Sequence, residues 1–447
     1  MLFGTDGIRG TINKYPMLPC EILKFSLAIG SMLQKISEAK HEKGYKPKVI
    51  IAKDTRLSGY IIESALTAGL AAVGVNVTLV GPMPTASVPM LIKSIRADLG
   101  IMITASHNPF YDNGLKIFDE NGYKLLKENE ESIQTIQEEE SVFADPSELG
   151  KVNRLEDVHG RYIEYVKSCF PKDLSLEGMR LVVDCANGAS YKIAPSVFWE
   201  LGAEVVAVGV EPNGININEG CGAIHPGLLS AKVIETRSNI GIALDGDGDR
   251  LLVCDEMGKI INGDHVIAII AKFLQSKGRL RGNGVVVTKL SNSGLEKYLQ
   301  NLGLNIHVTE VGDKNVSYEM RKQGCNFGGE TSGHIILGDY ASTGDGIISA
   351  LQILAYLKEN GGAASDLLHP FQLTPQKTVS IAIDDNENPL KNSDKVALID
   401  KIKSENPNIR LIIRKSGTEN VIRIMAEGKD ERNLDIVIEK IKTTLLT

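Results

Sequence analysis

Short apolar, β-branched runs alternate with helix-length patterns through most of this chain, and that alternation is its strongest constraint. Residues 48–52, 75–80 and 99–103 read as strands, separated by helical patterns over 60–73 and 86–95. A second unit places strands at 181–184, 204–210 and 239–244, with a helix at 190–201. A third places strands at 284–288 and 305–310 among helices at 264–275, 293–302 and 345–359. Strands alternating with helices predict sheets with parallel pairs and helices on both faces. The end of the chain differs. Residues 378–383, 410–414 and 421–427 read as strands and 394–403 and 431–445 as helices, an order that predicts a small α+β domain.

At 447 residues the chain has material for roughly three domains of about 150 residues. The Glu-rich stretch 128–148 predicts an exposed helix and linker, and 369–375 a joint before the tail. Hydrophobic residues make up 43% and charged residues 23%, which excludes disorder. The net charge of -7, with no basic tract, argues against non-specific nucleic-acid binding. No apolar run approaches the roughly 18 residues of a membrane helix. No basic segment followed by an apolar one opens the chain, so no signal peptide is expected. The 6 cysteines form no CxxC pair. That argues against structural zinc or a redox motif and predicts buried free thiols in a reducing cytosol.

Four segments carry chemistry. Asp245, Asp247 and Asp249 alternate with glycine at the end of a predicted buried strand, followed by Arg250. Alternate residues of an extended chain point the same way. Clustered carboxylates repel one another unless a cation sits among them, and hard divalent ions take oxygen ligands. A bare turn is the alternative, and a calcium loop a weaker one, because 250–254 reads as a strand. Ser106, in the segment 104–109, follows a strand end, where open α/β sheets place ligands. Read alone, it is better read as a serine-rich turn. Glycines surround Glu330, Ser332 and His334 in 328–334, a loop suited to a polyhydroxy ligand. Arg414, Lys415, Ser416, Gly417 and Thr418, with Arg423 close by, form either a phosphate cradle or a solvated basic hairpin. Together the four segments point to a phosphate ester handled beside a divalent ion and a serine.

In order and spacing these segments resemble the motifs of the α-D-phosphohexomutase superfamily, and 3–10 (FGTDGIRG) resembles its N-terminal signature. Within it, 81–85, 106–116 (SHNPFYDNGLK), 184–189, 211–216 and 414–419 are similar to the bacterial glucosamine-phosphate branch. The resemblance implies three similar mixed α/β domains plus a smaller C-terminal α+β domain around a central cleft. The divisions are 1–150, 151–255, 256–370 and 371–447. It implies interconversion of glucosamine 6-phosphate and glucosamine 1-phosphate for UDP-N-acetylglucosamine and cell-wall precursors. The intermediate would be glucosamine 1,6-bisphosphate, with that or glucose 1,6-bisphosphate as activator.

The same resemblance implies roles. Ser106 carries the phosphoryl group as phosphoserine, and Mg²⁺ is held by Asp245, Asp247, Asp249 and the Ser106 phosphate. Arg250 adds positive charge, Lys116 and His334 are acid/base candidates, and Arg9 positions a phosphate or a base. Glu330 and Ser332 grip sugar hydroxyls, while Arg414, Ser416, Gly417, Thr418 and Arg423 hold the non-reacting phosphate. A phosphosugar is the partner, with no nucleic acid and no membrane. The family's habits add a homodimer and a cytoplasmic location. Four positions depart from the family pattern: Thr331 in the sugar loop, Lys314 where Arg is expected, Asn420 where Pro is expected, and Ala86 where Pro is expected. A glucose- or mannose-phosphate mutase with the same mechanism, or a non-catalytic relative that binds sugar phosphates, remains the competing reading.

Overall fold

Eighteen strands and fourteen α-helices build four sheets in a computed structural model that describes residues 3–4, 7–40, 44–139, 142–383, 388–415 and 421–446. The architecture is mixed α/β, with the three larger sheets preceding a small antiparallel one.

The first sheet runs, in order, Ile8–Thr11, Asp112–Phe118, Leu99–Ile103, Lys48–Lys53, Asn76–Pro82 and Val152–Arg154. Its centre is parallel, and its first two strands are antiparallel to their neighbours. Leu99–Ile103 is buried at every position and Lys48–Lys53 at all but Lys48. Such near-continuous apolar runs mark strands covered on both faces. The second sheet runs Ile260–Ile261, Leu251–Asp255, Ile240–Leu244, Arg180–Asp184 and Glu204–Val208. The third runs Asn305–Thr309, Gly284–Thr288, Phe327–Gly329 and Ile335–Leu337. The tail sheet, Gln376–Ala382, Val421–Glu427 and Arg410–Lys415, is wholly antiparallel.

Two divisions read from the sequence fall early. Val152–Arg154 pairs with Asn76–Pro82, so the first sheet extends past 150. Ile260–Ile261 pairs with Leu251–Asp255, so the second sheet extends past 255. In both cases a short edge strand, too brief to carry a periodic pattern, follows the expected division. The predicted helix 190–201 begins at Ile193. The acidic stretch forms the helix Lys127–Gln137 and a 3-10 turn at Pro146–Glu148. Cys20 is exposed, against the expectation of buried thiols, while the other five cysteines are buried and all are free.

The helix Gly346–Asn360 is buried over nearly all its circumference. A helix apolar on all sides belongs inside a core. The largest apolar core takes residues from all three larger sheets, including Met102, Val183 and Val287, and from helices packed on them, including Ile267 and Leu351. The tail has a core of its own around Ile422, Ile424, Leu434 and Ile438. Among the described residues, no helix is long and apolar enough to cross a membrane.

Candidate active site

The strand Ile240–Leu244 ends at Asp245, and the chain turns back antiparallel as Leu251–Asp255. In the turn, Asp245, Asp247 and Asp249 are fully or almost fully buried, at 0%, 0% and 2% exposure. One carboxylate oxygen from each lies within 4.8 Å of the others. The turn is tight because Gly248 takes φ +71°, and neighbouring backbone holds it. Ala189 N donates to Gly246 O at 2.8 Å, Thr85 N to Asp247 O at 2.9 Å, and Gly346 N to Gly248 O at 3.0 Å.

Ser106 comes to this cluster from the first sheet. It follows the strand Leu99–Ile103, and its Oγ donates to Asp245 Oδ2 at 2.6 Å. Lys116 arrives on the antiparallel strand, opposite Met102, and its Nζ donates to Asp247 Oδ2 at 2.7 Å and Asp249 Oδ2 at 2.6 Å. Thr85 Oγ1 also donates to Asp247. Asp247 Oδ1 and Asp249 Oδ1 remain buried without a hydrogen-bond partner. Orphaned carboxylate oxygens beside one another fit a hard divalent cation such as Mg²⁺.

Electrostatics divide the three acids. Burial pushes the Asp245 carboxyl up to about 7, and the charges of Asp249 and Asp247 add to the shift. Burial would also raise Asp249, but Lys116 and His334 outweigh it and hold that carboxyl well below its ordinary range.

His334 enters from the third sheet through an isolated bridge with Arg250. Its Nδ1 lies 3.6 Å from Asp249 and its Nε2 3.4 Å from Asp313, while Gly344 N donates to Nε2 at 3.0 Å. Burial opposes a charge on the ring, yet Asp249 and Asp313 hold it above its ordinary value. Lys124, from the first domain, pairs with Asp313. Lys314, at the position of an expected Arg, bonds Glu130 of the first domain at 2.9 Å.

Arg250 Nε lies 4.0 Å from Asp245 Oδ2. Arg9 stands opposite Gly114 in the first sheet. Both arginines act on His107, whose imidazole is pushed down to about 3 by burial first and then by Arg250 and Arg9. His107 Nδ1 is 3.5 Å from Ser106 Oγ. The sequence marks His107 only by its place beside Ser106.

Glu330 accepts from Gly312 N at 2.9 Å, and burial raises its carboxyl. Ser332 is exposed. Arg414 and Arg423 face each other across the tail sheet. Burial and Arg423 lower the Arg414 guanidinium, against the pull of Glu330 and Glu310. The tail cations therefore lie within electrostatic reach of the Glu330 loop. Ser416, Gly417, Thr418 and Asn420 lie outside the described residues.

The arrangement sets a serine hydroxyl among three carboxylates and an ammonium, with arginines nearby, a setting chemically suited to a phosphoryl group on the serine. Signatures of the phosphoglucomutase/phosphomannomutase family match the chain in order: α/β/α domain I over 1–142, domain II over 160–258, domain III over 262–373 and the C-terminal domain over 381–443. A phosphoglucosamine mutase of Mesorhizobium japonicum is 49% identical, over 98% of this chain and 96% of its own. Another, of a Nitratiruptor species, is 48% identical over 98% of each. Among solved structures, a phosphoglucomutase/phosphomannomutase family protein of Burkholderia thailandensis superposes with TM-score 0.81 at 24% identity, over 99% of this chain and 96% of that one. An Aspergillus fumigatus N-acetylphosphoglucosamine mutase, solved with GlcNAc-6P and magnesium, superposes with TM-score 0.68 at 17% identity, over 100% and 95%.

Proposed function

The chain belongs to the phosphoglucomutase/phosphomannomutase family, and from that premise we propose that it interconverts glucosamine 6-phosphate and glucosamine 1-phosphate through a phosphoryl group carried on Ser106. The carrying observation is Ser106 Oγ at 2.6 Å from one member of a buried three-carboxylate cluster that also holds a lysine. A serine in that setting, with three carboxylates and an ammonium gathered at its oxygen, suits the exchange of a phosphoryl group.

Asp245, Asp247 and Asp249, with a phosphoryl oxygen on Ser106, would hold Mg²⁺. Bound there, the ion supplies neutralisation of charge on the transferring group. The chain's own residues do the rest. Lys116 sets an ammonium against Asp247 and Asp249. Arg250 and Arg9 bring fixed positive charge to the His107 side of Ser106. Phosphoryl transfer depends chiefly on such positioning and charge stabilisation. His334, held between Asp249 and Asp313, is placed to exchange a proton with a sugar hydroxyl. Glu330 and Ser332 would grip the sugar, and Arg414, Arg423 and the loop 416–418 the distal phosphate. A 1,6-bisphosphate that turns over in the cleft then presents either phosphate to Ser106.

The test is a mutase assay on phosphorylated protein with Mg²⁺ and trace bisphosphate, run on glucosamine, glucose and mannose phosphates. Preference for glucosamine phosphate, lost in Ser106→Ala, is the expected result. Preference for glucose or mannose phosphate would retain the mechanism and overturn the substrate. No turnover by folded phosphoprotein would overturn both.

A further inference from the structure

Ser106 adopts φ +53°, in the left-handed region. A non-glycine residue there is strained and persists only where its surroundings impose it. Here both peptide groups flanking Ser106 are tied to one buried pair, Asp54 and Arg56. Ser106 N donates to Thr104 Oγ1 at 2.8 Å, and Thr104 Oγ1 donates to Asp54 Oδ2 at 2.7 Å. The same Asp54 Oδ2 accepts from Arg56 Nε at 2.8 Å. Arg56 Nη2 then donates to Ser106 O at 2.9 Å and Asn108 O at 2.8 Å. Its Nη1 donates to Asp112 O at 3.0 Å and to Pro109 O. Every N–H of this buried guanidinium is therefore spent on Asp54 and the serine loop.

A second clamp comes from another domain. Asn218 Nδ2 donates to Ser106 O at 2.9 Å and Asn108 O at 3.2 Å, the two carbonyls that Arg56 Nη2 holds. Asn218 is itself buried and left-handed, at φ +58°. None of these side chains contacts Ser106 Oγ.

We infer that Arg56, with Asp54 and Asn218, is a positioning device that aims the phosphoseryl group, and that the aim decides how the phosphoryl group divides between sugar and water. This rests on the reading of Ser106 as phosphoryl carrier. In productive transfer a sugar hydroxyl oxygen bonds to phosphorus, the Oγ–P bond breaks and the hydroxyl proton passes to the site. In the side path a water oxygen bonds to phosphorus, the Oγ–P bond breaks, inorganic phosphate leaves and one water proton ends on Oγ. On that reading the sugar is gripped from the third domain and the tail and does not follow a displaced phosphorus. Water can. Misplacement of about 1 Å costs about 100-fold in an aligned transfer.

The test uses the full-length phosphorylated protein with Mg²⁺, as wild type, Arg56→Lys and Asn218→Ala. Lysine keeps the charge and loses the planar fork. We expect Arg56→Lys to lower kcat about 30- to 100-fold with KM within about 2-fold, and to raise phosphate release relative to sugar transfer at least about 10-fold. Asn218→Ala should move both in the same direction by less. The phosphoserine phosphorus resonance should shift or split in Arg56→Lys. Unchanged kcat and partition in folded variants would overturn the proposal, as would losses that merely track the folded fraction. If Arg56→Lys does not fold, an unaltered partition in Asn218→Ala overturns it. If wild type turns over no sugar phosphate, the functional reading fails alone, and an unchanged phosphorus resonance in the variants still refutes the clamp.

Discussion

Replacing Lys116 by methionine removes a buried charge that contacts two of the three clustered aspartates while keeping most of the side-chain volume. Lys116 is 1% exposed, and its Nζ lies 2.7 and 2.6 Å from Asp247 and Asp249. Taking one partner from a buried pair costs about 3–5 kcal/mol, because the other charge stays buried. For a cooperative unit of about 370 residues, at about 2.1 cal/mol/K per residue, each kcal/mol lowers Tm by about 1.3 °C. The variant should therefore melt about 4–6 °C below wild type in EDTA. The substitution also removes one positive charge from the carboxylate cluster. Mg²⁺ should bind it more tightly and raise its Tm by more than it raises that of wild type, since binding at about 100 times Kd adds about 2.7 kcal/mol. Thermal unfolding with EDTA and with Mg²⁺ reads both effects. A variant within about 2 °C of wild type in EDTA, or one that gains no more from Mg²⁺, would refute the reasoning.

Two further substitutions probe the same loop. The Asp245 carboxyl is pushed up to about 7, so the folded metal-free protein keeps a proton that the unfolded chain releases near pH 4. Its contribution is present below pH 4 and lost as the pH rises to about 7. Asp245→Asn should therefore gain stability relative to wild type between about pH 4 and 7 in EDTA, and a flat difference by urea unfolding would contradict this. Gly248→Ala would put a Cβ 2.3 Å from Ser190 Oγ at a φ of +71°. It should cost at least about 10-fold in kcat by displacing Asp247 and Asp249, and unaltered kinetics in a mutase assay would rule that out.

Much of the fold is legible in the sequence because parallel strands buried on both faces leave dense β-branched runs, as in Gly284–Thr288 (GVVVT). The antiparallel strand Asp112–Phe118 (DNGLKIF) carries no such run, yet it delivers Lys116 to the centre. Ile8–Thr11, which delivers Arg9, is equally silent as a strand. The aspartate cluster is legible because its alternation is local. Arg56 is not: its acceptors at Ser106, Asn108 and Asp112 are 50, 52 and 56 residues away, and the sequence shows only a basic residue after a strand. Asn218, 112 residues from Ser106, is hidden for the same reason.

The shared apolar core has a consequence for how the molecule comes apart. Residues of three sheets bury one another, so a defect beneath any of them is felt by all, and the serine, the acids and His334 stand or fall together. Among the described residues, no residue of the tail sheet belongs to that core. The tail meets the third domain through polar contacts such as Ser293 N to Glu427, Asn292 Nδ2 to Thr374 O and Gln376 Nε2 to Leu290 O. Contacts of that kind exchange with water at little net loss. Such a division predicts that the tail opens as a unit of its own, at a free energy below that of global unfolding. Arg414 and Arg423 would then withdraw from the Glu330 loop while Ser106 and the three aspartates stay assembled.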